Sequence, residues 1–187
     1  MPEQENTHFA SVASFVLALC AGVLMLSFSS LDYAAMLRHK VPVPSRGYLM
    51  VSGPATWQAT VEKATDLSSP EIIFLAPNSD SKLTLTILPE VDSHRNLYRF
   101  VAQISQAALV QAVEKTVEIK EFGAENKKGF YFRLTENTPK PNEWVYRTQG
   151  AIHEGNLLLI FTLLSNDPKT KEQQIVFNML VSARQVR

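Results

Sequence analysis

Cysteine is almost absent. Cys20 is the single one among 187 residues, and it lies in an apolar stretch near the start. The remainder of the chain therefore has no disulfide framework and no thiol chemistry. Lipoprotein processing needs a small residue just before the cysteine; Leu19 holds that place, so lipidation is not expected. A charge of one sign is lacking as well: 18 Lys and Arg balance 18 Asp and Glu. Glu3, Glu5 and Asp32 precede Arg38, the first cation, so from Arg38 onward 18 cations meet 15 acids. Spread along the sequence, that excess does not make the clustered basic face that nucleic acid requires, and no nucleic-acid partner is expected. The Lys127-Lys128 pair reads as a solvated turn.

Catalytic patterns are missing too. His8 and His39 flank the apolar stretch, which leaves His94 and His153, two separated histidines without metal-ligand spacing. There is no His-Glu-x-x-His, no Gly-x-Ser-x-Gly and no phosphate-cradling glycine loop. Ser79-Asp-Ser-Lys82 matches a Ser-x-x-Lys nucleophile pattern only superficially, since those residues fall in a hairpin turn and not at the start of a buried helix. His153-Glu154 would serve as an acid/base pair only inside a pocket, and adjacent turn residues more often face solvent. The reading is of no catalytic residue, no cofactor and no metal, and of a protein that is not an enzyme.

What the chain does have is 45% hydrophobic residues and 19% charged ones, the composition of a globular protein. From Phe9 to Leu31 no residue is charged. About 20 apolar residues suffice to cross a bilayer as a helix. Residues 1–40 are thus expected to be a signal peptide or an uncleaved membrane anchor, with the membrane engaged through residues 9–31. Small residues near Ser27-Phe28-Ser29 and Ala34-Ala35 suit cleavage. The acidic start, followed by Arg38, Lys40 and Arg46 after the apolar run, favours an anchor and, by the positive-inside rule, a cytoplasmic domain.

Residues 41–187 read as one α+β domain. Val41-Pro-Val-Pro44 suggests an extended linker, because proline fixes φ and restrains the residue before it. Strands are expected over residues 47–51 and 56–61, with Trp57 as a core anchor, then a hairpin of residues 71–76 and 82–88 around Pro77-Asn-Ser-Asp80. In that hairpin Leu83, Leu85 and Ile87 alternate with Thr84 and Thr86, so they share a face. Residues 93–113 change to helical spacing, an amphipathic helix fit to cover a sheet. Strands over residues 115–121, 129–135, 144–152 and 157–164 follow as an antiparallel meander. The last of them is apolar at every position but Thr162, the pattern of a central strand covered on both faces. Asp167-Pro168 then opens a helix running to about Arg184, with Ile175, Val176, Met179, Leu180 and Ala183 as its apolar stripe. The expected architecture is an antiparallel sheet sandwiched between helices, preceded by a hydrophobic N-terminal helix.

The run Lys128-Gly-Phe-Tyr-Phe-Arg-Leu-Thr135, then Lys140-Pro-Asn-Glu-Trp-Val-Tyr-Arg-Thr-Gln-Gly-Ala151, His153-Glu-Gly-Asn-Leu-Leu-Leu-Ile-Phe-Thr-Leu-Leu-Ser-Asn-Asp167 and a final helix resembles uncharacterised bacterial envelope proteins of the PsbP-like superfamily. The resemblance covers element order from about Gly47 to the C-terminus. It implies an α/β/α sandwich and a habit of surface binding without a catalytic constellation: relatives of the fold include an extrinsic photosystem subunit, a Ran-binding nuclear protein, an envelope lipoprotein and chaperones for hydrophobic segments. Exported relatives usually begin with a basic signal peptide, whereas this chain begins acidic. Fold alone does not dictate function.

Period-two alternation places Phe130, Phe132 and Leu134 on one face of their strand and Tyr131 with Arg133 on the other. Tyr131, Arg133, Tyr146 and Arg147 form the candidate contact surface, since Tyr and Arg combine large area with directed hydrogen bonds. The expectation is a non-catalytic accessory or binding module, exported to or anchored at the cell envelope with its domain extracytoplasmic, that takes a protein partner or a small ligand. The rival readings are a cytoplasm-facing anchored chaperone-like module for hydrophobic segments and, behind it, a small hydrolase.

Overall fold

The structure, a computed structural model, describes residues 35–65, 68–77, 80–89, 96–141, 143–168 and 171–187. The expected N-terminal membrane segment, His94 and Ser79 lie outside the described residues. Among these residues, no helix is long and apolar enough to cross a membrane.

The described chain contains ten strands and two α-helices. They follow in the order β1 (Met36–Val43), β2 (Gly47–Pro54), β3 (Gln58–Glu62), β4 (Glu71–Leu75), β5 (Ser81–Pro89), α1 (Leu97–Ala108), β6 (Lys120–Ala124), β7 (Lys127–Thr135), β8 (Tyr146–Glu154), β9 (Leu157–Ser165), α2 (Lys171–Ser182) and β10 (Arg184–Val186). Seven strands form one antiparallel sheet in the order β3-β4-β5-β9-β8-β7-β6; β1, β2 and β10 form a second, smaller sheet.

Strand β9 is the middle of the seven, as its sequence requires. It pairs along its whole length with β5 on one side, from Leu157 opposite Pro89 to Ser165 opposite Ser81, and with β8 on the other. Its side chains alternate between two cores. Leu157, Leu159, Phe161 and Leu163 join Leu83, Leu85 and Ile87 of β5, whereas Leu158, with half-buried Ile160, joins Phe132 and Leu134 of β7. The first core is closed by Val176, Phe177, Met179 and Leu180 of α2, together with Val41, Val43, Leu49 and Val51 of the small sheet. The second is closed by Leu97, Val101 and Ala108 of α1. One cover is thus a helix and the other a helix joined by a small sheet. Trp57 is 7% exposed and belongs to the first core.

Four sequence expectations shift. The proline-marked linker is part of β1, where Val41 and Val43 are buried. Strand β1 sits at an edge and Pro42 faces solvent, a position where a missing N–H is tolerated. The first helix begins at a cap, Asn96, whose side chain accepts the Arg99 N–H at 3.0 Å. It ends at Ala108 with a 3₁₀ turn over Leu109–Gln111, short of Val113, which is half exposed. The strand expected from residue 115 starts only at Lys120. The chain closes with a three-residue strand, β10, too short to show a period.

Strand β1 carries a titratable group against the first core. The His39 ring meets Phe74 edge-on at 5.2 Å, and its Nε2 is buried with no hydrogen-bond partner among the described residues. Burial pushes its pKa below the ordinary 6.5. Below that pH the unfolded chain gains a proton that the folded chain resists, so stability is complete above 6.5 and declines as pH falls through the folded value. Urea midpoints taken on either side of pH 6.5 should show this decline in the native chain and a flatter profile in His39→Leu.

Candidate functional site

The structure divides the four candidate contact residues. Strand β7 pairs with β8 in a register that sets Tyr131 opposite Gly150, Thr135 opposite Tyr146 and Leu134 opposite Arg147. Residues that face each other across a pair lie on the same side of the sheet. Tyr131, Arg133 and Tyr146 therefore share the α2 side, and Arg147 lies on the α1 side.

On the α2 side Tyr131 packs at 4.7 Å from Phe177, which stacks on Phe122 at 4.3 Å. These rings border an open groove of about 770 Å³ between β6 and α2, rimmed by Glu121, Asn178 and Arg184. The Arg133 guanidinium lies 5.4 Å from the Tyr146 ring centre and donates to the Asp167 carbonyl at 3.2 Å. Tyr131 thus serves as a wall, and Arg133 with Tyr146 forms a cation–π pair beside it.

On the α1 side Arg147 pairs with Glu136 at 2.5 Å and reaches Gln111 Oε1 at 3.4 Å. Around this pair opens a groove of about 540 Å³ whose apolar walls include Val110, Pro139, Trp144 and Leu164. Val110 is 84% exposed. The groove exists because the 3₁₀ turn stops the helix early and Glu114 pins the following segment to the end of β7: its carboxylate accepts the Thr135 N–H at 2.9 Å and the Thr135 hydroxyl at 2.8 Å. Burial alone would raise the Glu114 pKa, but these hydrogen bonds outweigh it and hold the group below the ordinary carboxylate value. Trp144 and Val110 are not among the residues the sequence singles out, because its helical spacing reads on to residue 113, past the turn that exposes Val110.

The residues weighed for chemistry have other work. His153 and Glu154 are consecutive on β8, so alternation sends them to opposite faces and they cannot act as a pair. Glu154 does not face solvent. Its Oε2 takes the Lys127 ammonium at 2.5 Å, both side chains being largely buried, and its Oε1 accepts the Gln185 N–H at 3.0 Å. Lys127, read as part of a solvated turn, also donates to the Ala183 carbonyl at 2.7 Å. Burial pushes its pKa down from the ordinary value, against the hydrogen bond and charge of Glu154. Lys128 does remain half exposed, near Glu121. Ser81 and Lys82 of the Ser-x-x-Lys pattern begin β5 and are not at a helix start.

With this geometry in place, the fold can be compared with known ones. It is similar to that of cyanobacterial PsbP (CyanoP) from Synechocystis sp. PCC 6803, with a TM-score of 0.52 and 14% identity over 84% of this chain and 96% of that one. The chain has a PsbP-like fold, and at that identity the likeness concerns fold alone. No protein-family profile matches the chain, and no curated protein sequence does.

The Lys127–Glu154 pair ties the β6–β7 hairpin to the β8–β9 turn and to the end of α2. Removing one partner leaves a largely buried charge uncompensated. Lys127→Met and Glu154→Gln should each cost about 3–5 kcal/mol, and the double variant should recover much of that loss, since paired removal leaves no orphan charge. Chemical denaturation of the four chains measures the cycle.

Proposed function

We propose that this chain is a non-catalytic accessory module of the cell envelope, exported or held at a membrane by its N-terminal segment, that binds a protein or a small ligand. The observation carrying this reading is the commitment of Glu154. The carboxylate best placed by sequence for acid/base work has its oxygens taken by Lys127 and the Gln185 N–H, and its neighbour His153 points to the other face. The PsbP-like fold supports the same reading, as does the uncharged run from Phe9 to Leu31.

Binding is assigned to the sheet surfaces that carry the Tyr and Arg residues. The groove of Trp144 and Val110, with the Arg147–Glu136 pair at its side, has an apolar wall and directed polar groups in one place, the combination that ligand sites use. Tyr131, Arg133 and Tyr146 supply a second surface on the opposite face. The envelope placement is that of the branch of the PsbP-like superfamily that the sequence resembles.

One observation favours a second reading, a cytoplasm-facing anchored module that shelters hydrophobic segments: Arg38, Lys40 and Arg46 follow the uncharged run after a single acid, Asp32, the arrangement that keeps a flank on the cytoplasmic side. Mass spectrometry of the mature N-terminus, joined to C-terminal fusions, separates the two. Active alkaline phosphatase fused to Arg187 is the expected result, on a chain that either begins between Ser30 and Met36 or keeps its N-terminus in membranes. An intact Met1 or Pro2 in membranes with a fluorescent cytoplasmic fusion would replace the first reading by the second.

A further inference from the structure

The small sheet gathers cations that the sequence keeps far apart. Arg38 and Lys40 lie on β1, Arg46 in the turn to β2, Arg184 on β10 and Arg187 just beyond it, and neither stretch, 35–54 nor 183–187, contains an acid. Of the 18 cations and 15 acids from Arg38 onward, these segments take five cations and no acid, which leaves 13 cations against 15 acids elsewhere. Pairing fixes which side they occupy. Arg38 faces Ser52, Lys40 faces Met50, Met36 faces Pro54, Arg184 also faces Met50, and Val186 faces Tyr48. All of these share one face, and it is the face turned away from Val41, Leu49 and Val51, which are buried in the first core. Cations and apolar groups are interleaved on it: Met36 is 43% exposed, Tyr48 38% and Val186 46%. The Lys40 ammonium sits 3.6 Å from the centre of the Tyr48 ring; Arg184 is 62% exposed, but its guanidinium turns to the end of α2, donating to the Val181 and Ala183 carbonyls at 2.8 and 2.7 Å with Glu154 3.8 Å away.

We infer that this outer face of the small sheet lies on the membrane surface and binds anionic lipid headgroups, with Arg38 and Lys40 against the phosphates and Met36, Tyr48 and Val186 at the level of the headgroup–acyl boundary. The inference rests on the anchored form of the reading above, in which residues 9–31 remain in the mature chain. Charge complementarity names the partner, since juxtamembrane Lys and Arg are attracted to anionic leaflets. The exposed apolar groups among them favour a lipid interface over nucleic acid, for which aromatic stacking and phosphate contacts would be expected without Met and Val. Chain reach agrees: only four residues separate Leu31, the end of the uncharged run, from Met36, the start of β1. Five steps of extended chain span about 18 Å at most, so a bilayer that holds the run also holds β1 near its surface.

The test uses the full chain with Cys20→Ser and a single environment-sensitive fluorophore, placed either at Ser52→Cys on this face or at Gln106→Cys on the exposed side of α1. Each is mixed with vesicles of phosphatidylcholine alone and of equal parts phosphatidylcholine and phosphatidylglycerol, and flotation is measured in parallel. The expected result is a shift of the Ser52-site emission to shorter wavelength, with reduced iodide quenching, in the anionic vesicles and not in the neutral ones. High salt should reverse the shift, because screening shortens the reach of exposed charges to about 3 Å at 1 M. Arg38→Gln with Lys40→Gln should abolish it, Arg38→Lys with Lys40→Arg should keep it, and the Gln106 site should stay unchanged. Flotation with both vesicles but no Ser52-site shift would overturn the inference and leave the membrane reading standing. Failure to float with either would remove both. A shift of the same size on adding single-stranded oligonucleotide, with none on adding lipid, would reassign the face to nucleic acid.

Discussion

The rest of the structure depends on β9 being apolar on both sides. A strand whose alternate side chains are all hydrophobic cannot lie at an edge or leave one face wet; it must be hydrogen-bonded on both flanks and covered on both faces. In this chain β5 and β8 supply the flanks, α1 one cover, and α2 with the small sheet the other. Beside each cover the sheet keeps a groove, with Arg147 at the one next to α1 and Tyr131 at the one next to α2.

The small sheet completes the second cover by bringing together the two ends of the described chain. Strand β2 takes β1 on one edge and β10 on the other, and β10 is secured by a side-chain network that sequence does not disclose. Gln185 gives its N–H to Glu154 Oε1, accepts the Asn156 N–H at 3.1 Å and donates to the Arg46 carbonyl at 3.1 Å. Gly155 turns the β8–β9 hairpin with φ of 57°, and a side chain there would meet Gln185 Oε1 at 2.5 Å. The same arrangement that closes the core also concentrates cations on its outer side.

Much of the fold was legible because it is periodic. The alternation of Leu83, Leu85 and Ile87, the unbroken apolar run of β9 and the helical spacing around Val101 each carry a pattern several residues long. What was illegible was short, or depended on distant partners. Three residues of β10 contain no period, and Val41-Pro42-Val43 looks like a linker until an edge position is known for the proline. That Arg133 and Arg147 lie on opposite faces was not legible, because their faces are set by the β7–β8 register, which sequence leaves open. Glu154 reads from sequence as a solvent-facing turn residue because its partner Lys127 lies 27 positions away.

Native-state amide hydrogen exchange tests the central claim, that β9 is the element on which both covers are built. Amides of Leu157–Ser165, together with the facing stretches of β5 and β8, should exchange last and through the same global opening, while those of β6, β10 and the 3₁₀ turn exchange earlier through local openings. Exchange of β9 ahead of the small sheet, or in step with β6 at the sheet edge, would contradict the account.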